Sequence, residues 1–452
     1  MQRRSFIKLS LVTFISLFAD PSLASAAVDL SKVNFDKEIY AKNSAQLIML
    51  FLYGGASQLA ANLTNIKDIE AASQKSYYDY FRGVTSTAND FWQEAGGDYL
   101  EDMINDGDAT VFRTCYSAVR EADNNKSHVP CTSQNQKGSF DETSAGIVSN
   151  LANILSDASV IDEDSVMPFV TMDGDSQFYA EGNRSVPSYL RAVGIDQDLD
   201  NPYKRYERYW FEYTDEEREN PYYNENNASG ADPAFSLTMD QMAQKHNTIA
   251  KIKDAFDKRA GLSEFIEKIA ADTVPQLGVD AYPEGSDFAK KMQSALKILS
   301  NNPDTKVITM GTDGLGGWDD HDDARNYVTR SEELFATLKA SVAHLKAIGK
   351  ENEVSIMVFS EFGRNVNLNA AYGWDHGNLQ NFIVLGGKNY FSHRGVVGET
   401  RVDKAGEVNR LYLKPTEGSY SFEPMSIAAT VYSLFGVTNP ELLTDGYSKV
   451  VL

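Results

Sequence analysis

Short, almost wholly apolar blocks alternate along this chain with longer segments in which apolar positions recur every three or four residues. Residues 46–53 (QLIMLFLY), 168–172, 307–310 (VITM) and 354–359 (VSIMVF) are blocks of the first kind, rich in β-branched and aromatic side chains. That is the pattern of strands buried on both faces of a parallel sheet. Residues 110–113 and 382–385 predict two further strands. Helical spacing marks residues 146–155, 288–299 and 426–434, and a long amphipathic helix carries Leu334, Leu338, Val342, Leu345 and Ile348 and closes at Gly349. Strand and helix in alternation predict an α/β fold, a doubly wound, mostly parallel sheet with helices on both faces.

In such sheets ligands sit beyond the carboxyl ends of the strands, which directs attention to the polar residues just after each apolar block. Ser360, Glu361 and Arg364 come after the block at 354–359, with Gly363 free to turn the backbone. Gly54, Gly55, Ala56 and Ser57 come after the first block, and residues 312–321 (TDGLGGWDDH) after the block at 307–310. Asp375, His376 and Gly377 precede the run at 382–385, and the polar segment after residues 110–113 holds Ser127, His128, Cys131 and Thr132. Of the six histidines, His128, His321 and His376 lie in these polar loops and His393 in a later one, whereas His246 and His344 lie in helical segments and read as solvated or packing residues. Neutral imidazole with carboxylate is the usual ligand set for zinc, and carboxylate-rich sets suit manganese or calcium. The same residues are also what a buried hydrogen-bond network between loops would use.

Composition narrows the picture. The 452 residues, 42% hydrophobic, suffice for a large core, and 64 acidic against 42 basic residues give a formal charge of -22. A field of that sign repels phosphate backbones, so nucleic acid is not an expected partner. The pattern changes at about residues 195–299, which read as a helical or irregular insertion. Residues 201–230 in it are crowded with Tyr, Asn, Glu and Asp, and either bind sugars or a partner protein or pack onto the main body; residues 239–270 have helical periodicity. At the N-terminus, Arg3 and Arg4 with Phe6 and Lys8 precede a short apolar run and the small-residue stretch Ala24, Ser25, Ala26. This predicts a twin-arginine-type signal over residues 1–26, export by the twin-arginine machinery, and a mature chain over residues 27–452 in the periplasm or medium. No later run is long enough for a stable membrane span. Two cysteines in an oxidising compartment, Cys115 and Cys131, are either a disulfide or two buried thiols.

The order of the motifs supports a further reading. Gly-Gly-Trp-Asp-x-His at 316–321, Ser-Glu-Phe-Gly-Arg at 360–364 and Asp-His-Gly at 375–377 closely resemble the signature of the bacterial domain-of-unknown-function-1501 family, which is similar to the alkaline phosphatase and sulfatase superfamily. The resemblance runs over most of residues 46–440 and implies an alkaline-phosphatase-like fold. It also implies a divalent metal held by Asp319, His321, Glu361 and His376, with Ser127 as nucleophile, Thr132 as the alternative hydroxyl, and His128 beside it. Arg364 is either a clamp on an anionic oxygen or a structural ion pair. Two departures bear on function. Ser57 stands where relatives usually carry an Asp, which weakens a two-metal site, and the Cys/Ser-x-Pro-x-Arg sequence of formylglycine sulfatases is absent. The expectation is an exported metal-dependent hydrolase acting on phosphate or sulfate esters of an anionic small molecule or polymer. The alternative is a non-catalytic binding protein on the same scaffold.

Overall fold

The structure is a computed structural model that describes residues 29–451 except 73–75, 82, 174–175, 200–240, 242–244, 246–261, 263–264 and 404–409. The expected signal segment, the aromatic-rich stretch at 201–230, most of the helical segment at 239–270 and His246 therefore lie outside the described residues.

Eight strands form one sheet in the order β4-β3-β5-β1-β6-β7-β2-β8. They are β1 (Gln46–Leu52), β2 (Ala109–Tyr116), β3 (Phe169–Thr171), β4 (Val193–Gly194), β5 (Val307–Met310), β6 (Val354–Ser360), β7 (Leu379–Gly386) and β8 (Gly395–Val397). β1 lies at the centre, parallel to β5 on one side and to β6 on the other, with Ile48 opposite both Ile308 and Ile356. Every residue of β1, β5 and β6 is buried, which is why these strands read as unbroken apolar blocks. β7 runs antiparallel to β6 and to β2. β9 (Thr400–Asp403) and β10 (Tyr412–Pro415) form a separate antiparallel ribbon.

Successive side chains of one strand enter different cores. Ile48, Leu50, Ile356 and Val358 belong to a cluster shared with the helices α1 (Gly97–Asn105), α4 (Asp287–Asn301) and α5 (Arg325–Ala347). Leu47, Met49, Phe51, Met357 and Phe359 face a second cluster with α3 (Ile147–Asp157) and α6 (Met425–Leu434). The sheet is thus covered on both faces, a doubly wound, mostly parallel α/β arrangement. Phe51 anchors the second core, meeting Tyr53, Phe178 and Phe359 edge to face at centroid distances of 4.8, 5.9 and 5.3 Å.

Two features differ from the sequence reading, and a third decides between alternatives it left open. The polar segment after β2 contains a helix, α2 (His128–Lys137), whose buried residues are Cys131, Gln134, Asn135, Gln136 and Lys137, so it shows no apolar period. β2 extends through Arg113 to Tyr116, because Arg113 is buried with its Nε donating to Ala61 O at 2.7 Å and its guanidinium over the Phe91 ring. Cys115 and Cys131 are both buried free thiols, so the alternative of a disulfide does not hold in the structure. Among the described residues no helix is long and apolar enough to cross a membrane.

Candidate metal centre

β1, β5 and β6 end at one rim of the sheet, and β7, being antiparallel, begins there. The loops after the three strands and the loop before β7 therefore meet. The loop after β1 must pass against that after β5: Gly54 has φ 104, and a Cβ there would lie 2.6 Å from the backbone nitrogen of Asp319. At Gly373 a Cβ would come within 2.0 Å of the carbonyl oxygen of His321, which brings the loop before β7 against the same segment.

Arg364 pins these loops together from beneath. Its side chain has no exposure and donates to Gly55 O at 2.7 Å, Trp374 O at 3.1 Å, Trp318 O at 3.4 Å, Asp319 Oδ1 at 2.6 Å and the carbonyl of Gly54. Of the two roles open to Arg364, these contacts are those of a structural ion pair. α2 is fixed to the end of β6 by polar groups. Asn135 Nδ2 donates to the carbonyls of Ser360 and Glu361 at 2.7 and 2.9 Å, and buried Arg120 bonds Glu361 O at 2.9 Å and Asn135 Oδ1 at 2.6 Å. The polar face that hides this helix from a hydrophobicity pattern is thus what places His128 at the rim.

His128, Asp319, His321 and His376 converge there, one ligand atom of each lying within 4.8 Å of the others. Asp319 Oδ1 is 3.4 Å from His128 Nε2 and 3.2 Å from His321 Nε2, and the Nε2 atoms of His321 and His376 are 2.9 Å apart. The outward nitrogen of each ring faces an acceptor. His376 Nδ1–H donates to the carbonyl of Lys126, His128 Nδ1–H donates to Glu361, and His321 Nδ1 faces Asp375 Oδ1 at 3.5 Å. A carbonyl or carboxylate can only accept, so His376 and His128 carry a proton on Nδ1 and turn Nε2 toward the cluster. Arg364 approaches His321 Nε2 at 3.3 Å from one side, and Asp319 Oδ1 lies 3.2 Å from it on another. At 2.9 Å the two Nε2 atoms are close enough to share a proton or a cation, and orientation of each imidazole by an acceptor on its far nitrogen is the usual support of a metal-binding histidine. Three nitrogens and one carboxylate oxygen fit a tetrahedral divalent ion such as zinc.

The electrostatics agree. Burial, then the charge of Arg364, depress His376 to about 4, so it is neutral and able to bind metal at physiological pH. Burial alone would raise Asp319, but the hydrogen bond and charge of Arg364, with His128 and His321, outweigh it and hold the carboxyl below its ordinary value. The Asp319 and His321 side chains are about half exposed, so the cluster is open to solvent.

Three of the four expected ligands, Asp319, His321 and His376, gather with His128. The fourth, Glu361, lies one bond behind them, buried, accepting from His128, from the Thr132 hydroxyl and from Gly54 N at 3.1 Å. Ser127 is the exposed residue preceding α2 and makes no capping bond with its side chain. Ser57 is turned away: its hydroxyl accepts from Leu59 N at 3.4 Å and its carbonyl from the Tyr327 hydroxyl at 2.7 Å. Sequence reasoning missed Lys126, whose contribution is a backbone carbonyl and leaves no mark on residue type.

The fold and this cluster define an α/β protein with a histidine-rich candidate cation site at the carboxyl rim of its sheet. The family described as "Protein of unknown function (DUF1501)" matches residues 184–410, and the chain belongs to that family. No curated protein matches the chain. Similar solved structures include the PsFucS1 sulfatase from Pseudoalteromonas sp. (12% identity, 94% of this chain and 74% of that one, TM-score 0.37) and the phosphonate monoester hydrolase SpPMH from Silicibacter pomeroyi (11%, 89% and 75%, 0.37). The lipoteichoic acid synthase LtaP from Listeria monocytogenes is a third (9%, 91% and 77%, 0.33).

Proposed function

We propose that this chain is an exported, metal-dependent hydrolase of phosphate or sulfate esters, with one divalent ion held by His128, Asp319, His321 and His376. The observation that carries the reading is the inward convergence of three imidazole Nε2 atoms and a carboxylate oxygen, each imidazole being held from behind. An ion there supplies Lewis-acid polarisation of an ester oxygen. The chain's own residues do the rest. Glu361, Asp375 and the Lys126 carbonyl fix the ring orientations, and Arg364 keeps Asp319 ionised. The Ser127 hydroxyl, next to His128 and exposed, is the nucleophile; the Thr132 hydroxyl is already committed to Glu361.

The test is elemental analysis of the natively purified protein together with turnover of generic aryl phosphate and aryl sulfate esters. Expected are about one divalent ion per chain, its loss in His321→Ala, and loss of turnover with metal retained in Ser127→Ala. Wild type without metal, or metal content unchanged in His321→Ala, rejects the site. One observation favours a second reading, a metal-binding but non-catalytic protein: Ser57 is turned away and Arg364 is wholly engaged with the protein. Stoichiometric metal without turnover of any ester would select it.

A further inference from the structure

The loops that carry His321 and His376 also form an open cleft of about 1000 Å³ whose lining contains none of the four clustered residues. Two tyrosines in it are stacked, the rings of Tyr80 and Tyr372 lying 4.5 Å apart at 16°. Tyr372 is held at φ 62, a backbone region that aromatic residues rarely adopt, and is 37% exposed. Its carbonyl accepts from Ala324 N at 3.0 Å, and nearby Asn369 Nδ2 donates to the carbonyl of His321 at 2.9 Å, so the loop that presents the ring also braces the metal centre. Beside the rings, Arg325 grips Asp323 through two hydrogen bonds of 2.6 and 2.5 Å, and the Tyr80 hydroxyl donates to Asp323 at 2.6 Å. Both members of that pair are more than half exposed, which leaves carboxylate lone pairs and guanidinium N–H groups facing the cleft.

We propose that this cleft is a carbohydrate-binding subsite, in which the tyrosine pair takes the C–H face of a sugar ring while Asp323 and Arg325 bond its adjacent hydroxyls. A flat aromatic platform beside a planar, partly free donor and acceptor pair matches a pyranose, which is apolar on its faces and hydroxylated at its rim. The charged residues lining the cleft are Asp79, Asp323 and Arg325, two carboxylates against one guanidinium, so the sugar bound here is neutral. On the hydrolase reading, which this extends, the ester is carried on a carbohydrate and the cleft holds a neighbouring unesterified unit. Binding itself does not require turnover.

The test is calorimetric titration and saturation-transfer NMR of the full exported protein with maltohexaose, cellohexaose and chitohexaose, comparing wild type with Tyr372→Gly, Arg325→Ala and His128→Ala. Expected is binding of at least one hexasaccharide by wild type and His128→Ala alike, with affinity at least tenfold lower in Tyr372→Gly and Arg325→Ala. No binding by wild type, or undiminished binding by both cleft variants, overturns the proposal. Tyr372→Gly suits the left-handed backbone, and if it fails to fold, Arg325→Ala, on an exposed side chain, decides. Ester turnover measured in parallel keeps the two readings apart. Sugar binding without turnover removes the hydrolase and leaves the subsite, and turnover without sugar binding does the reverse.

Discussion

At the scale of single residues, sequence motifs indicate which groups gather but not which atom faces the centre. Asp319 and His321 are legible as polar residues past one apolar block, and His376 as a polar-loop residue ahead of another. His128 and Glu361 were legible as members of the site, yet the direction of the Glu361 side chain is set by donors far away in the chain: Gly54 N, the Thr132 hydroxyl and the His128 ring. Those three draw the carboxylate below the surface and make it a support for His128. Glu361→Gln keeps the size of the side chain but presents an amide NH2 to one of the donors and removes the charge that holds His128 Nδ1–H. Supports of this kind contribute about 10- to 100-fold in metal affinity. A competitive chelator titration should therefore show a loss of that size in Glu361→Gln, with far-UV circular dichroism unchanged. Full affinity in the variant would mean that Glu361 does not orient His128.

At the scale of elements, legibility depends on the kind of group each one buries. β1, β5 and β6 have apolar groups on both faces, and α4 and α5 have one apolar stripe, so hydrophobic patterning alone reports that they exist and what they are. α2 buries amides that bond to the backbone of β6, a contact no hydrophobic period can register. The antiparallel direction of β7 was equally hidden, since an apolar run reads the same either way. α5 also carries a prediction. His344 is buried on its inner face with its Nδ1 hydrogen-bonded to the Tyr282 hydroxyl at 3.0 Å, and burial depresses the imidazole to about 4, with Asp272 and Lys297 pulling in opposite directions. The folded pKa lies below the ordinary 6.5, so the unfolded chain takes the proton first. The stability of the neutral form is present above pH 6.5, is lost as pH falls toward 4, and changes no further below. The loss is about 3 kcal/mol. His344→Gln, which keeps a hydrogen-bonding partner for Tyr282, should flatten the stability curve by that amount between pH 6.5 and 4 in urea titrations. Parallel curves for the two proteins would show that His344 does not titrate in this range.

At the scale of the whole molecule, the candidate site is where the topology puts loops that are remote in sequence. Residues 126–132, 319–321, 361–364 and 375–376 meet because the carboxyl ends of β2, β5 and β6 and the amino end of β7 lie at one rim, and Arg364 and Gly54 let the loops approach closely. Three imidazole nitrogens and a carboxylate oxygen converge there, so a cation that binds them ties together loops remote in sequence. An ion that binds only the folded chain adds RT ln(1 + [M]/Kd), about 2.7 kcal/mol at a hundredfold excess over Kd. Thermal unfolding of chelator-treated protein should therefore shift upward with the logarithm of added zinc or manganese, the shift vanishing in His321→Ala. The sheet itself does not depend on the ion, because β1, β5 and β6 are buried between two apolar clusters that lie away from the rim. Chelated protein should accordingly keep its far-UV spectrum and lose protection from hydrogen exchange first in residues 319–324 and 365–378. An unfolding midpoint independent of metal would mean that the cluster is a hydrogen-bonded brace between loops, with a proton held where the ion is proposed to sit.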